Sequence, residues 1–436
     1  MGHCIRACLI ALRLAKALRL SQSDRDTLHL VMLLKDSGCA SNAAKMYSLF
    51  GGDDLEAKQD GKLYDWANTV ASVKFAFRHA VPGGRLRERL SILQGLSKTP
   101  GRVMDVLTLT RCTEGAEIAR LLGLNETVAT AIYCLDEHWD GQGAPHHLRG
   151  EQIPLLSRIA CLAQTMEVYA TKFGTAHAYA VARKRVGHWF DPQLTRAVMA
   201  FEKDGAFWLN LGTDPQTQLA EIAGPGLRDR VTEASLDSIC QAFARVVDSK
   251  SSFTAAHSGR VAAYADRIAV QLGFSRDQRA ELRRAALLHD IGKLGVPNFI
   301  LDKPEALTGS EFGIVQRHPL YTAQVLSRIP SFQRITQIAA AHHEKLDGSG
   351  YFQGLGASSL TPEMRLLTVA DVFDALTAQR PYRKAMSLEQ ALTILEAEVA
   401  FGKMDAGCVA ALKEEAPETI HALPTANFAA CSLQTA

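Results

Sequence analysis

The 436-residue chain has no Cys-x-x-Cys pair, no uncharged apolar run long enough to cross a bilayer, no run of alternating β-branched residues and almost no net charge. Each absence excludes something. Nine cysteines, odd in number and scattered without pattern, argue against a disulfide framework and for reduced thiols in a cytoplasmic protein. His3, Cys4 and Cys8 have the wrong spacing for a zinc site. Residues 1–20 are apolar and basic, but Arg6, Arg13, Lys16 and Arg19 interrupt the apolar run. Neither a targeting peptide nor a membrane span of ~18–20 residues is therefore expected. Leu9, Leu12, Leu20 and their neighbours read instead as the buried stripe of an amphipathic helix. A net charge of +2 supplies no broad basic footprint for duplex nucleic acid, while leaving room for a local phosphate pocket. The missing β-branched alternation points to an all-α chain.

What is present is an ordinary globular composition, 47% hydrophobic and 22% charged, in a chain long enough for two domains. It also repeats itself. At one constant offset His257-Ser-Gly-Arg260 falls on His3-Cys-Ile-Arg6, and Ser275 on Ser21. The same offset sets Leu287-Leu288-His289-Asp290-Ile291-Gly292-Lys293 on Leu33-Leu34-Lys35-Asp36-Ser37-Gly38-Cys39. At a second, shorter offset Glu344, Asp347-Gly348, Gly350 and Arg365 fall on Glu137, Asp140-Gly141, Gly143 and Arg158. The offset shortens because the first copy carries an insertion between residues 40 and 130, with a loop expected around Gly51-Gly52-Asp53-Asp54. Gly224-Pro225-Gly226 breaks helices and marks the join. The expected domains are 1–215 and 230–420, two tandem helical bundles.

Helix signals support this. Val261, Tyr264, Ala265, Ile268 and Leu272 keep the helical period. Ser275 with Gln278 reads as a capping box opening the helix that ends at His289–Asp290. Thr308 with Glu311 is expected to open the helix carrying His318, and Ser387 with Gln390 a later one. Thr361-Pro362 starts the helix carrying Asp371. His421 is expected in an unpatterned tail.

Beyond residue 250, His257, His289, His318, His342 and His343 fall beside other candidate ligands. Asp290 follows His289, and Asp371 sits among Leu366, Leu367, Val369, Ala370 and Val372. A carboxylate on such an apolar face must be paired or ligated, because burying it bare costs several kcal/mol. Imidazoles with carboxylates suit iron, manganese, zinc or nickel. Seven such groups exceed the needs of one ion, and a shared carboxylate can bridge two ions about 3.5–4 Å apart, an arrangement suited to phosphodiester hydrolysis.

Several blocks together closely resemble the HD-GYP family. They are Leu288-His289-Asp290-Ile291-Gly292-Lys293, His342-His343-Glu344, Asp347-Gly348-Ser349-Gly350-Tyr351, Asp371-Val372-Phe373-Asp374-Ala375-Leu376 and Arg380-Pro381-Tyr382-Arg383. That family is a subclass of HD-domain phosphohydrolases that hydrolyses cyclic di-GMP in bacteria, and the resemblance covers about residues 235–412. It implies a helical bundle with two metal ions in its core, iron or manganese first and nickel or zinc next. The implied ligands are His257, His289, Asp290, His318, His342, His343 and Asp371, with Asp290 as the bridge. It also implies Lys293 at the scissile phosphate, and Arg380 and Arg383 at the other phosphate or a base. Two departures stand out. Gly350-Tyr351-Phe352 replaces the family's Gly-Tyr-Pro, and Phe253 replaces a glutamate that in some members binds a third metal.

The first copy is expected to be catalytically dead. Lys35 stands for the ligand histidine, Cys39 for the lysine, Leu135 and Asp136 for the paired histidines, and Gln164 for Asp371. His3, Asp36 and Asp136 are too few for a two-metal site. His138, His146 and His147 fall off the ligand positions, in a polar loop. The copy would serve as a packing, sensing or nucleotide-holding unit, or as the docking surface for a homodimer or signalling partner. The leading expectation is hydrolysis of cyclic di-GMP to linear pGpG, and further to GMP, by a hydroxide activated between two metals. The alternatives are another cyclic dinucleotide, such as cyclic GMP-AMP, and a non-enzymatic receptor.

Overall fold

The computed structural model describes residues 2–50, 63, 100–213, 217–218, 232–251, 256–379 and 384–422. Residues 51–54 and 224–226, Phe253, Arg380 and Arg383 lie outside that set, so the expectations placed there carry no structural account. The chain divides into two compact units, Met1–Ser238 and Ile239–Ala436. Among the described residues the architecture is all-α, and β pairing is confined to two isolated bridges, Val186 with Phe190 and Asp347 with Gly356.

The first unit contains α1 (His3–Ala17), α2 (Gln22–Leu34), a 3-10 turn (Ser37–Asn42), α3 (Ala43–Phe50) and α4 (Pro100–Leu121). It continues with α5 (Glu126–Tyr133), α6 (Leu155–Phe173), α7 (Thr175–Lys184), α8 (Pro192–Met199) and α9 (Gly205–Asn210). Helix α10 (Glu233–Asp248) leads into the second unit, followed by α11 (His257–Gln271), α12 (Arg276–Leu288) and a 3-10 turn (Ile291–Gly295). Then come α13 (Asn298–Leu301), α14 (Gly309–Val315), α15 (His318–Leu326), α16 (Gln333–Ala340), α17 (Pro362–Thr377), α18 (Leu388–Ala400) and α19 (Ala406–Ala422).

The same packing recurs in both units. Helix α1 packs on α2 and α6, α2 on α5, and α4 on its 3-10 turn and α5. Likewise α11 packs on α12 and α17, α12 on α16, and α15 on its 3-10 turn and α16. The duplication read from sequence is a duplication of structure. One close approach fixes the correspondence further. A Cβ on Gly292 would lie 1.9 Å from the His318 carbonyl oxygen, and one on Gly38 2.1 Å from that of Arg111. Only glycine permits such contacts, and they identify Arg111 as the counterpart of His318.

Capping boxes form at Ser275–Gln278, Thr308–Glu311 and Ser387–Gln390, and Thr361 caps the helix whose first turn holds Pro362. Three expectations need correction. The helix opened by Thr308 ends at Val315, and His318 begins a new one. Proline disfavours helical geometry at the residue before it yet fits a first turn, so His318-Pro319 restarts the helix instead of continuing it. His421 lies in α19 rather than in an unpatterned tail. Asp405 accepts the amides of Gly407 and Cys408 at the start of that helix, whose alanine- and glutamate-rich run favours it. Finally, Leu9, Leu12 and Leu20 only border the core. The fully buried residues of α1 are Ala7, Cys8, Ile10, Ala11, Leu14 and Ala15, on a helix that packs against α2 and α6.

Candidate metal centre

Helix ends deliver most of the chemistry. His257 is the first residue of α11, His289 caps the end of α12, and Asp290 opens the following 3-10 turn. His318 starts α15, His342 and His343 follow α16, and Asp371 projects from mid-α17. Local structure thus places residues distant along the chain around one point. All but His343 are buried.

Their atoms meet closely. His257 Nε2 lies 3.2 Å from His289 Nε2, and His318 Nε2 lies 3.0 Å from His342 Nε2. Asp290 Oδ2 is 3.5 Å from His257 Nε2 and 3.4 Å from His289 Nε2, while its Oδ1 is 3.3 Å from His318 Nε2 and 3.7 Å from His342 Nε2. Asp371 Oδ1 approaches His257 and His289 at 3.4 and 3.6 Å, and its Oδ2 stands 4.0 Å from His343 Nδ1. Three overlapping triads result: His318, His342 and His343; His257, His289 and Asp371; and His289, Asp290 and His342. Asp290 turns one oxygen toward each end of the cluster, as a bridging carboxylate must.

Three of the imidazoles are oriented by the backbone. Nδ1 of His289, His318 and His342 lies 2.7, 2.7 and 2.6 Å from the carbonyl oxygens of Ala286, Val315 and Ala339. A carbonyl has no hydrogen to give, so each Nδ1 donates and each Nε2 faces inward. For His257 the acceptor is Asp374, 2.7 Å from Nδ1. Asp374 in turn accepts Arg260 Nε at 2.6 Å.

Burial opposes charge on His257 and His289, yet the carboxylates overcome it. Asp290, Asp371 and Asp374 raise His257 well above the ordinary imidazole value, and Asp290 with Asp371 pushes His289 up to about 9. At the other end, burial and the neighbouring imidazoles of His343, His289 and His318 hold His342 well below that value. Burial, with His318 and Lys293, brings His343 down to about 3. Burial alone would raise the aspartates. Instead Lys293, His289 and His257 hold Asp290, and His257, His289 and His343 hold Asp371, well below the usual carboxylate range.

The donor set fits divalent ions. Inward Nε2 atoms at 3.0–3.2 Å need a positive centre between them. Asp290 Oδ1 is buried and accepts no hydrogen bond, a state that a bound cation would relieve. His/Asp clusters of this kind are candidate divalent-metal sites, with the metal's identity open to iron, manganese, nickel or zinc. Lys293 Nζ lies 2.5 Å from Asp290 Oδ2, beside the cluster.

Sequence reasoning missed several supporting residues. Asp374 and Arg260 orient His257. Glu344 is buried and accepts the amides of Gln353 at 2.8 Å and Leu355 at 2.9 Å, pinning the loop after the paired histidines. The repeat held the signal. Glu137 accepts the amides of His146 and Leu148 in the same way, and Glu167 pairs with His3 and Arg6 as Asp374 does with His257 and Arg260. His146 and His147 lie in that pinned loop, and His138 stacks on Trp189 at 4.1 Å, off the ligand positions.

The HD-domain family profile matches residues 109–194 and 241–407, more than half of the chain and both units. The 3'3'-cGAMP-specific phosphodiesterase 3 of Vibrio cholerae is 42% identical over 415 residues, covering 94% of this chain and 89% of that protein. The cyclic di-GMP phosphodiesterase response regulator RpfG of Xanthomonas campestris is 39% identical over 175 residues, 39% of this chain and 45% of its own length. Among solved structures, a cyclic GMP-AMP specific phosphodiesterase of V. cholerae (V-cGAP3) superposes with a TM-score of 0.61 at 37% identity, covering 97% of this chain and 93% of that one. With both copies matched and the clustered His/Asp groups in place, the chain belongs to the HD-domain family and is a metal-dependent phosphohydrolase with a duplicated helical bundle.

Proposed function

We propose that this chain hydrolyses 3'3'-cyclic GMP-AMP, opening the ring to a linear dinucleotide, with cyclic di-GMP as the weaker substrate. The observation that carries the choice is coverage. The V. cholerae protein named for 3'3'-cGAMP aligns over 94% of this chain, through both copies, whereas RpfG, named for cyclic di-GMP, aligns over 39%. This shifts the preference from cyclic di-GMP, favoured by the motif resemblance alone, to the alternative held beside it.

In this reading His257, His289, Asp290, His318, His342, His343 and Asp371 would hold two ions, Asp290 offering one oxygen toward His257 and His289 and the other toward His318 and His342. When bound, the ions would supply an acidified water and neutralise the negative charge that grows on the phosphoryl and leaving oxygens. The rest falls to the protein. Asp374 and the backbone carbonyls keep each Nε2 aimed inward. Lys293, fixed beside Asp290, offers an ammonium to the scissile phosphate. One P–O ester bond breaks as one P–OH bond forms, and the departing ribose oxygen takes a proton. Arg380 and Arg383 are assigned the second phosphate or a base on the strength of the motif, since a guanidinium fork suits phosphate oxygens. For Arg380→Ala, KM should rise more than kcat falls; the reverse split would move this arginine to the reaction centre.

The test is direct comparison. Manganese- or iron-loaded protein should show a kcat/KM for 3'3'-cGAMP at least about tenfold above that for cyclic di-GMP, equivalent to ~1.4 kcal/mol of transition-state preference. A reversed ratio would return the assignment to cyclic di-GMP. Metal-loaded protein that opens neither ring would end the cyclic-dinucleotide reading altogether.

A further inference from the structure

The first unit keeps the scaffold of a metal centre but fills it with different chemistry. Glu167 pairs with His3 Nδ1 and accepts Arg6 Nε at 2.7 Å, reproducing the arrangement of Asp374 with His257 and Arg260. His3 Nε2 therefore points into the bundle as His257 Nε2 does. At the position of His289 stands Lys35, whose side chain is fully buried. Its Nζ lies 2.9 Å from His3 Nε2 and 2.5 Å from Asp36 Oδ2. Those two atoms correspond to His257 Nε2 and Asp290 Oδ2, which face the candidate metal position in the second unit. The ammonium sits where it meets the inward ligand atoms, so it does more than replace one ligand.

The other half of the site changes in step. Arg111 holds the place of His318 and forms an ion pair with Asp136, which stands where His343 stands in the second unit. Gln164 replaces Asp371 and removes one negative charge. Leu135, buried, replaces His342. Two cations of the chain, Lys35 and Arg111, now face two carboxylates, Asp36 and Asp136. Side-chain cations stand where divalent ions would, while the number of carboxylates stays at two, because Asp136 at the place of His343 offsets the carboxylate lost at Gln164. Lys35 is fully buried and Arg111 nearly so, and a cation withdrawn from water to that degree needs a carboxylate beside it, which Asp36 and Asp136 supply.

We infer that Lys35 and Arg111 are built-in cations that take the place of metal ions, making the first unit a metal-free structural copy of the centre in the second. Its folded state is then independent of metal supply, whereas the second unit's is coupled to it. The inference concerns packing and charge, and it is read without turnover. It therefore survives or fails independently of the substrate assignment.

Two variants of the full chain test it. Lys35→Met keeps the length and apolar stem but removes the buried cation that His3 Nε2 and Asp36 Oδ2 face. The melting transition of the first unit should fall by about 10 °C. An unchanged transition would show that Lys35 merely fills space, and would overturn the inference. The second variant, Lys35→His/Gln164→Asp, restores the ligand types of His257, His289, Asp290 and Asp371 at His3, 35, Asp36 and 164. By elemental analysis after dialysis against manganese, it should carry more metal per chain than the wild type. Folded double variant, verified by circular dichroism, that binds no additional ion would sink the idea.

Discussion

At Asp290 one carboxylate faces two sets of imidazoles, Oδ2 toward His257 and His289 and Oδ1 toward His318 and His342. Removing it should empty both positions. Asp290→Ala is expected to lose both metals and all turnover with helical content nearly unchanged, as measured by elemental analysis, product assay and circular dichroism. Retained activity would refute the ligand set. Asp374 acts at one remove. It fixes the ring of His257 through Nδ1 and is itself held by Arg260. Asp374→Asn should weaken metal affinity by about 10–100-fold, and excess metal should restore much of the rate. If metal affinity stayed the same while kcat fell, Asp374 would belong to the reaction itself.

Among the helices, the critical contact is that between the 3-10 turn Ile291–Gly295 and α15. It brings Asp290 Oδ1 to 3.3 Å from His318 Nε2, and it depends on glycine at 292. Gly292→Ala would drive a methyl to within 1.9 Å of the His318 carbonyl oxygen, so turn and helix must separate. The expected result is a large loss of bound metal and activity; wild-type metal content in this variant would show that the contact tolerates displacement. Thr322 helps hold the same junction, donating to the His289 carbonyl at 2.8 Å and accepting the Gly292 amide at 3.1 Å. Much of this was legible. Capping boxes announced α12, α14 and α18, and Pro362 the start of α17. The break before His318 was not, because a capping signal tells where a helix starts and not how far it runs.

Across the whole molecule, the two units should differ in their response to chelation. A chelator would strip the imidazole and carboxylate groups of the second unit of their ions and leave buried Asp290 and Asp371 with only Lys293 and the neighbouring imidazoles as counter-charges. It should lower that unit's thermal transition while leaving the first unit's transition in place, as scanning calorimetry would resolve. Equal shifts in both would contradict a metal-free first unit. No helix among the described residues is long and apolar enough to cross a membrane. Most of the described cysteines, including Cys8 and Cys161, are buried, and burial pushes the thiols of those two up to about 12.

By itself the sequence determined the all-α class and the duplication, because helix period, capping residues and recurring motifs are local signals that survive in one dimension, and its motif resemblance named seven candidate ligands. Only the tertiary structure decided which atoms face one another. That Asp290 splits its two oxygens between two groups, that Asp374 aims His257, and that Lys35 fills the first unit's centre all depend on helices far apart in the chain. Substitution of histidine by lysine looks in sequence like the loss of a ligand. In three dimensions it is the exchange of one cation for another, because charge balance in a buried site is a property of neighbours and not of positions along the chain.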